Sequence, residues 1–252
     1  MATKAKRKSA PKAKRKPASK SLHSERFPGE NAGYRNARNQ LLKAEMELRR
    51  RLEDVAAMRR KLPAGGPVPE DYEFEEGAAN LGDSESVRRV KLSELFQPGK
   101  ESLVIYSYMY GPNMEKPCPS CTSILDGLNG TAPHAAQRIN LVVVAKSPIQ
   151  RIRAFARERG WRNLRFLSSA GNPYNRDYHG ETTEGSQIPA LNVFVRRGSK
   201  IHHAYCTELL FAPGEKGQDM RHVDLIWPLW NLFDFTPEGR GKDWHPKLSY
   251  GS

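Results

Sequence analysis

The spacing of apolar residues changes several times along the chain. Between 36 and 62, Leu41, Leu48, Val55 and Leu62 recur every seven residues, Leu52 falls between them and Met58 lies near the same stripe. Charges of both signs fill the remaining positions, which is the pattern of a long helix with one apolar face. Pro63 and the Gly65–Gly66 pair close it. Such a stripe predicts packing against the rest of the chain or a homodimer through this helix, and it is too short for a sustained coiled coil. Residues 67–101 read as a connection with a short strand at 72–74 and, in VKLSELF at 90–96, a strand end running into a helical turn. At 102–110 the pattern becomes SLVIYSYMY, nearly continuous apolar and aromatic, as a central strand covered on both faces requires. Gly111 and Pro112 stop it.

The next segment predicts a helix from about Cys118 to Leu128, bracketed by Gly127 and Gly130. INLVVVA at 139–145 is a second buried strand. Pro148 opens a helix that runs to Gly160, with the proline near the first turn where its missing N–H costs nothing. A further strand follows at 163–167, then a polar loop over 168–187. Residues 190–196 and 200–206 flank Arg197-Gly198-Ser199 as a hairpin, and a last helix is expected over roughly 220–233. Strand–helix–strand units predict parallel neighbours with right-handed crossovers, and the closing hairpin adds antiparallel strands. The expected fold class is therefore α/β, a mixed sheet with helices on both faces, preceded by the long helix.

Composition bounds what this fold can do. The 252 residues suit one domain with extensions, divided as a disordered tail at 1–24, the helix at 25–66 and a globular domain at 67–252. No run approaches the roughly 18 apolar residues of a membrane span, and no apolar stretch follows the basic N-terminus as a secretory signal demands. Three cysteines exclude a disulfide framework, so a reducing cytoplasm is expected. The net charge of +13 is uneven: residues 1–20 hold nine Lys or Arg and no acid. That low-complexity tail cannot offset its chain entropy by burial. It reads as a solvated tail, or alternatively as an arm making weak nucleic-acid contact by counterion release. The acids of DYEFEE at 71–76 are expected to pair with the Arg-rich helix.

The strongest chemical signal is Cys118-Pro119-Ser120-Cys121, which follows a buried strand and should open a helix. Backbone N–H groups at a helix start stabilise a thiolate. Cys118 sits in that field, and Cys121, one turn on, can resolve a mixed disulfide formed on it. Pro119 is compatible with the helix start. A structural zinc site is the competing reading, but zinc needs four ligands and only Cys206 and poorly spaced histidines remain. An inert pair is the other alternative, since reactivity follows local pKa. Ile188-Pro189, immediately before a strand, is a place where a cis peptide is realistic and is equally ordinary strand punctuation. Cys206 reads as a small buried hydrophobe. The loop NPYNRDYHGE at 172–181 reads as self-satisfied turns, with a partner surface as the alternative and a weak metal suggestion in His179 with Glu181.

Taken together, a strand, CPSC at a helix start, strand, helix, Ile188-Pro189, hairpin and final helix resemble a thioredoxin fold over about 90–235. The stretches LSELF, CPSCTSILDGLNG, NPYNRDYHGE and LWNLFDFTPEGRG are similar to a bacterial thioredoxin-like family of unknown function described as predicted dithiol–disulfide oxidoreductases. That similarity extends into the helix at 36–62 and leaves out the tail. It implies a nucleophilic thiol at Cys118, a resolving thiol at Cys121 and a cis-proline at Pro189 that faces the dithiol and offers backbone hydrogen bonds to an extended substrate. Dithiol exchange at this motif calls for a protein or small-molecule disulfide substrate and an electron donor, and requires no bound cofactor. Thioredoxins usually carry an aromatic residue where Pro117 stands, the 112–117 connection is long, and 160–187 is an insertion. A thiol peroxidase would resemble a Pro followed by Thr or Ser three residues before its cysteine. Glu115 and Cys118 occupy those places ahead of Cys118 and Cys121, so dithiol exchange ranks above peroxide reduction. A non-catalytic thioredoxin-fold binding protein remains the reading from another class.

Overall fold

The computed structural model describes residues 22–216, 224–238, 241 and 243–250. The chain divides into two compact units, the first ending at Lys61 and the second beginning at Leu62. The expected disordered tail lies mostly outside the described residues.

The first unit is built on α1 (Ala32–Arg60). It starts four residues before the expected span at 36 because Asn31 caps it, its Oδ1 accepting the Tyr34 N–H at 2.9 Å. Arg59 and Arg60 in the last turn complement the helix dipole. The stripe Leu41, Leu48, Leu52, Val55, Met58 and Leu62 is exposed.

The second unit is a seven-stranded mixed sheet, formed by β1 (Glu73–Gly77), β2 (Val87–Lys91), β3 (Ser102–Ser107), β4 (Asn140–Ala145), β5 (Phe166–Ser168), β6 (Ala190–Arg197) and β7 (Lys200–Cys206) in the order β2-β1-β5-β4-β3-β6-β7. β3, β4 and β5 are parallel, and β6 returns antiparallel to β3 with Ser107 opposite Ala190. The two parallel connections are α2 (Pro119–Ala135) and α3 (Ile149–Arg159). The nested order β4-β3-β6-β7, with α2 after the central strand and a hairpin after α3, is a thioredoxin-like arrangement.

Alternation along the central strands divides the core in two. Tyr106 and Tyr108 of the β3 segment, with Val143 and Ala145 of β4, face α2, α3, Trp161 and Trp227. Leu103, Ile105, Val142 and Val144 face the 3₁₀ turn Leu92–Leu95 and the aromatic side chains of Tyr72, Phe74, Tyr174 and Tyr178. Both faces are apolar, which is why these strands read as continuous runs rather than alternating ones. The longer helices thus cover one face. The other is closed by the 3₁₀ turn and by α4 (Tyr174–Asp177), a single turn inside the segment expected to be loop.

Three further expectations change. Gly127 and Gly130 do not end α2, which runs on through Pro133. An interior glycine costs about 1 kcal/mol, and burial of Ala132 beyond both glycines favours continuing the helix. The acids of 71–76 find partners within the sheet unit: Glu73 pairs with Arg89, and Glu76 with Arg88 and Arg165. The last helix is α5 (Pro228–Asp234), and the earlier part of its expected span, 220–223, lies outside the described residues.

Candidate active site

Past β3 the chain keeps its place against β4, the Tyr108 N–H reaching the Val144 carbonyl at 2.8 Å. It then turns out through Gly111–Pro117. Two anchors hold this connection. Ser147, just after β4, donates its N–H to the Tyr110 carbonyl and its hydroxyl to the Gly111 carbonyl, both at 2.9 Å. Arg151, in the first turn of α3, lays its guanidinium 4.7 Å from the Tyr110 ring centre. It donates to the carbonyls of Pro112 at 3.1 Å and Glu115 at 2.8 Å, and to that of Met114. Gly111 has no side chain for a steric reason: a Cβ there would lie 2.9 Å from Cγ of Gln187.

The connection delivers Cys118 to the N-cap of α2, with φ −61° and ψ 124°. Its N–H returns to the Met109 carbonyl at 3.0 Å, tying the cap to the end of the central strand. Its carbonyl accepts the Thr122 N–H at 3.0 Å and the Thr122 hydroxyl at 2.9 Å. That hydroxyl also meets the Tyr108 hydroxyl at 2.9 Å, in the core. Pro119 takes the first helical position, where it sacrifices no hydrogen bond. The Cys118 Sγ occupies the place of a capping oxygen and accepts the Cys121 N–H at 3.5 Å.

The two thiols are free and differently placed. Cys118 is partly exposed, whereas Cys121 is buried among Tyr106, Ile124 and the rest of the α2-side core. The hydrogen bond from the Cys121 thiol, assisted by the N–H groups of Cys121 and Ser120 and opposed by partial burial, brings the Cys118 thiol down to about 6. The same interaction pushes Cys121 far up, and burial adds to it. One sulfur is thus a thiolate near neutrality while its neighbour keeps the proton. Cys206, at the end of β7, is buried, and burial raises its thiol as well.

The structure therefore brings Cys118 and Cys121 together. Pro189 is a correction: the Ile188–Pro189 bond is trans, and no described peptide bond is cis. An X–Pro bond prefers trans by about 0.5–1 kcal/mol, and here it leads an extended chain straight into β6. The backbone of this segment is also occupied, since the Ile188 N–H donates to the Gly180 carbonyl at 2.9 Å and Glu181 bridges Gln187. The docking donor that the resemblance implied there is already used by the protein's own loop. That loop is tied down internally, with Asn175 bonded to Ser169 at 2.8 Å and to Gln187 at 3.3 Å. Glu181 pairs with Lys146 at 3.0 Å, and His179 packs edge-on against Phe211. Among the described residues no three His, Cys, Asp or Glu side chains gather as a metal site. The Glu115 side chain is exposed.

Sequence reasoning missed Tyr106, Tyr108, Thr122 and Arg151. The two tyrosines carried a readable signal, since 106 and 108 share the strand face that a following helix covers. Arg151 carried none, because the loop it holds is more than thirty residues away.

The sequence profile of a family described as "Bacterial protein of unknown function (DUF899)" matches residues 24–250. No curated protein matches the chain. Among solved structures, the chain is similar to AhpC of Enterococcus faecalis, at 14% identity and TM-score 0.44, covering 73% of this chain and 98% of that one. It is also similar to peroxidoxin BcpB of Mycobacterium tuberculosis, at 16% identity and TM-score 0.43, covering 66% and 94%. An uncharacterized conserved protein from Geobacillus kaustophilus aligns at 14% identity and TM-score 0.40, covering 65% and 78%. Likeness this distant says nothing about chemistry.

Proposed function

The chain belongs to the bacterial family of unknown function DUF899, and we propose that it is a thiol–disulfide oxidoreductase working through Cys118 and Cys121. The observation that carries this reading is the cap itself. The Cys118 sulfur accepts the Cys121 N–H at the mouth of a long helix and is half-exposed, beside a second thiol that keeps its proton. A nucleophile must be a thiolate and reachable, and a resolving group must be close and held back until a mixed disulfide exists.

In the proposed cycle the Cys118 thiolate attacks one sulfur of a substrate disulfide. The new S–S bond forms on Cys118, and the other substrate sulfur departs as a thiolate. Cys121 then attacks the Cys118 sulfur and the second substrate sulfur leaves, taking up the proton that Cys121 gives away. The substrate has gained two electrons and the protein holds the Cys118–Cys121 disulfide, which a thiol reductant must reopen. A reducing cytoplasm is the compartment that supplies such a donor. Among the described residues no helix is long and apolar enough to cross a membrane.

Cys118→Ser is expected to abolish reduction of a model disulfide, and Cys121→Ser to accumulate protein covalently joined to substrate, seen by mass spectrometry without reductant. Turnover at the parent rate in both variants refutes the reading.

A further inference from the structure

Tyr106 and Tyr108 lie on the same side of the central strand segment, and both are buried against α2. Their hydroxyls have different fates. That of Tyr108 meets the Thr122 hydroxyl at 2.9 Å. That of Tyr106 is fully buried and makes no hydrogen bond. A buried hydroxyl left without a partner is costly, and most such groups in folded proteins are satisfied. Phenylalanine would fill the same space without that cost. Tyr106 and Cys121 pack in the same buried cluster against α2, and the tyrosine hydroxyl is a neighbouring group that favours a charged sulfur at Cys121. A neutral thiol is a poor hydrogen-bond acceptor, so the hydroxyl goes unused while Cys121 is protonated.

We infer that Tyr106 is a positioning residue for the resolving step, its hydroxyl becoming the hydrogen-bond donor to the Cys121 sulfur when that sulfur turns thiolate and attacks the Cys118 mixed disulfide. This rests on the oxidoreductase reading and specifies how its second half proceeds. Cys121 has no water to solvate a developing negative charge, being nearly fully buried. The helix-start N–H groups that favour a thiolate act on Cys118 instead. On the strand side, the Tyr106 hydroxyl is the side-chain donor placed to help, alongside the Met109 N–H. An interaction absent in the resting thiol and present only as charge develops is one that lowers a barrier rather than deepening the ground state. The tyrosine keeps its own proton throughout, because burial holds its hydroxyl far above its ordinary range. The Cys121 proton therefore ends on the departing thiol, and the step balances as a mixed disulfide plus a thiol giving an internal disulfide plus a free thiol.

The test uses the chromogenic aromatic disulfide bis-thionitrobenzoate on reduced full-length protein carrying Cys206→Ala, with and without Tyr106→Phe. Attack by Cys118 releases a first equivalent of thionitrobenzoate, and resolution by Cys121 releases a second. Tyr106→Phe is expected to leave the first release unchanged and to slow the second about 10- to 100-fold, the worth of a hydrogen bond to a charged group, with the pH dependence of the second moved upward. Folding stability of the reduced protein is expected to be equal or higher, since the unpaired hydroxyl is gone. A second release as fast in Tyr106→Phe as in its parent, with the same pH dependence, overturns the inference and leaves the oxidoreductase reading standing. A parent that releases one equivalent and never a second overturns both.

Discussion

At the scale of single residues, the site works by splitting two chemically identical thiols. Both belong to one helical turn, yet one is the cap and the other is the first residue of the helix to be buried. The cap position leaves Cys118 partly in solvent and gives its sulfur an N–H to accept, while Cys121 is held in a pocket with no room for charge. The direction of each shift follows, and so does a pH dependence. The Cys118 thiol lies at about 6, so its reactive thiolate is lost as the pH falls through that value and is nearly complete above about 7.5. Alkylation of the reduced protein by iodoacetamide should therefore rise with pH around that midpoint and then level off. A reaction still climbing between pH 8 and pH 9, roughly where an unperturbed thiol titrates, would show that the cap does not activate Cys118.

Elements place these residues, and they were legible in the sequence to different depths. The central strands were readable because both faces are covered, which forces long apolar runs such as those of β3 and β4. The position of the dithiol at a helix start followed from a buried strand ahead and a proline at the first helical residue. What could not be read was anything fixed by distant packing. α2 continues through two glycines and a proline because its far end is buried. Pro189 keeps the commoner isomer, its segment taken up by the 180–182 chain. Arg151 organises the connection before Cys118 from another helix altogether. One guanidinium serves three carbonyls of that connection and stacks on Tyr110, a geometry lysine cannot reproduce. Arg151→Ala and Arg151→Lys are both expected to cost about 1–3 kcal/mol of stability and to move the alkylation midpoint of Cys118 upward as its cap loosens. An alkylation profile identical to the parent's in both variants would confine Arg151 to a purely structural part.

For the sheet unit as a whole, the question is how a hairpin formed early in the chain becomes the edge of a sheet whose centre is built later. β1 and β2 pair with each other and then dock on β5 through only two residue pairs, Glu75 with Ser168 and Glu76 with Leu167. Glu76 reinforces that short seam. Its carboxylate accepts two hydrogen bonds from Arg88 of β2, at 3.1 and 2.8 Å, and two from Arg165 beside β5, at 2.5 and 3.0 Å. Burial alone would push the carboxyl up, and it is the largest single influence. Arg165 and then Arg88 together outweigh it and hold the group below its ordinary value of 4.5. The folded value is therefore lower than the unfolded one, so the stability it contributes is complete above about 4.5 and is lost as the pH falls through the folded value. Glu76→Gln removes the charge while keeping the shape, and it leaves two arginines facing a neutral amide. It is expected to lower stability at neutral pH by about 1–3 kcal/mol. The gap to the parent should shrink as acid protonates Glu76 in the parent too. Because the carboxylate is only 9% exposed, added salt should screen the gap little. Denaturant unfolding of both proteins from neutral pH to about pH 3 measures it, and a gap that stays constant across that range would mean the charge of Glu76 is not what joins the hairpin to the central strands.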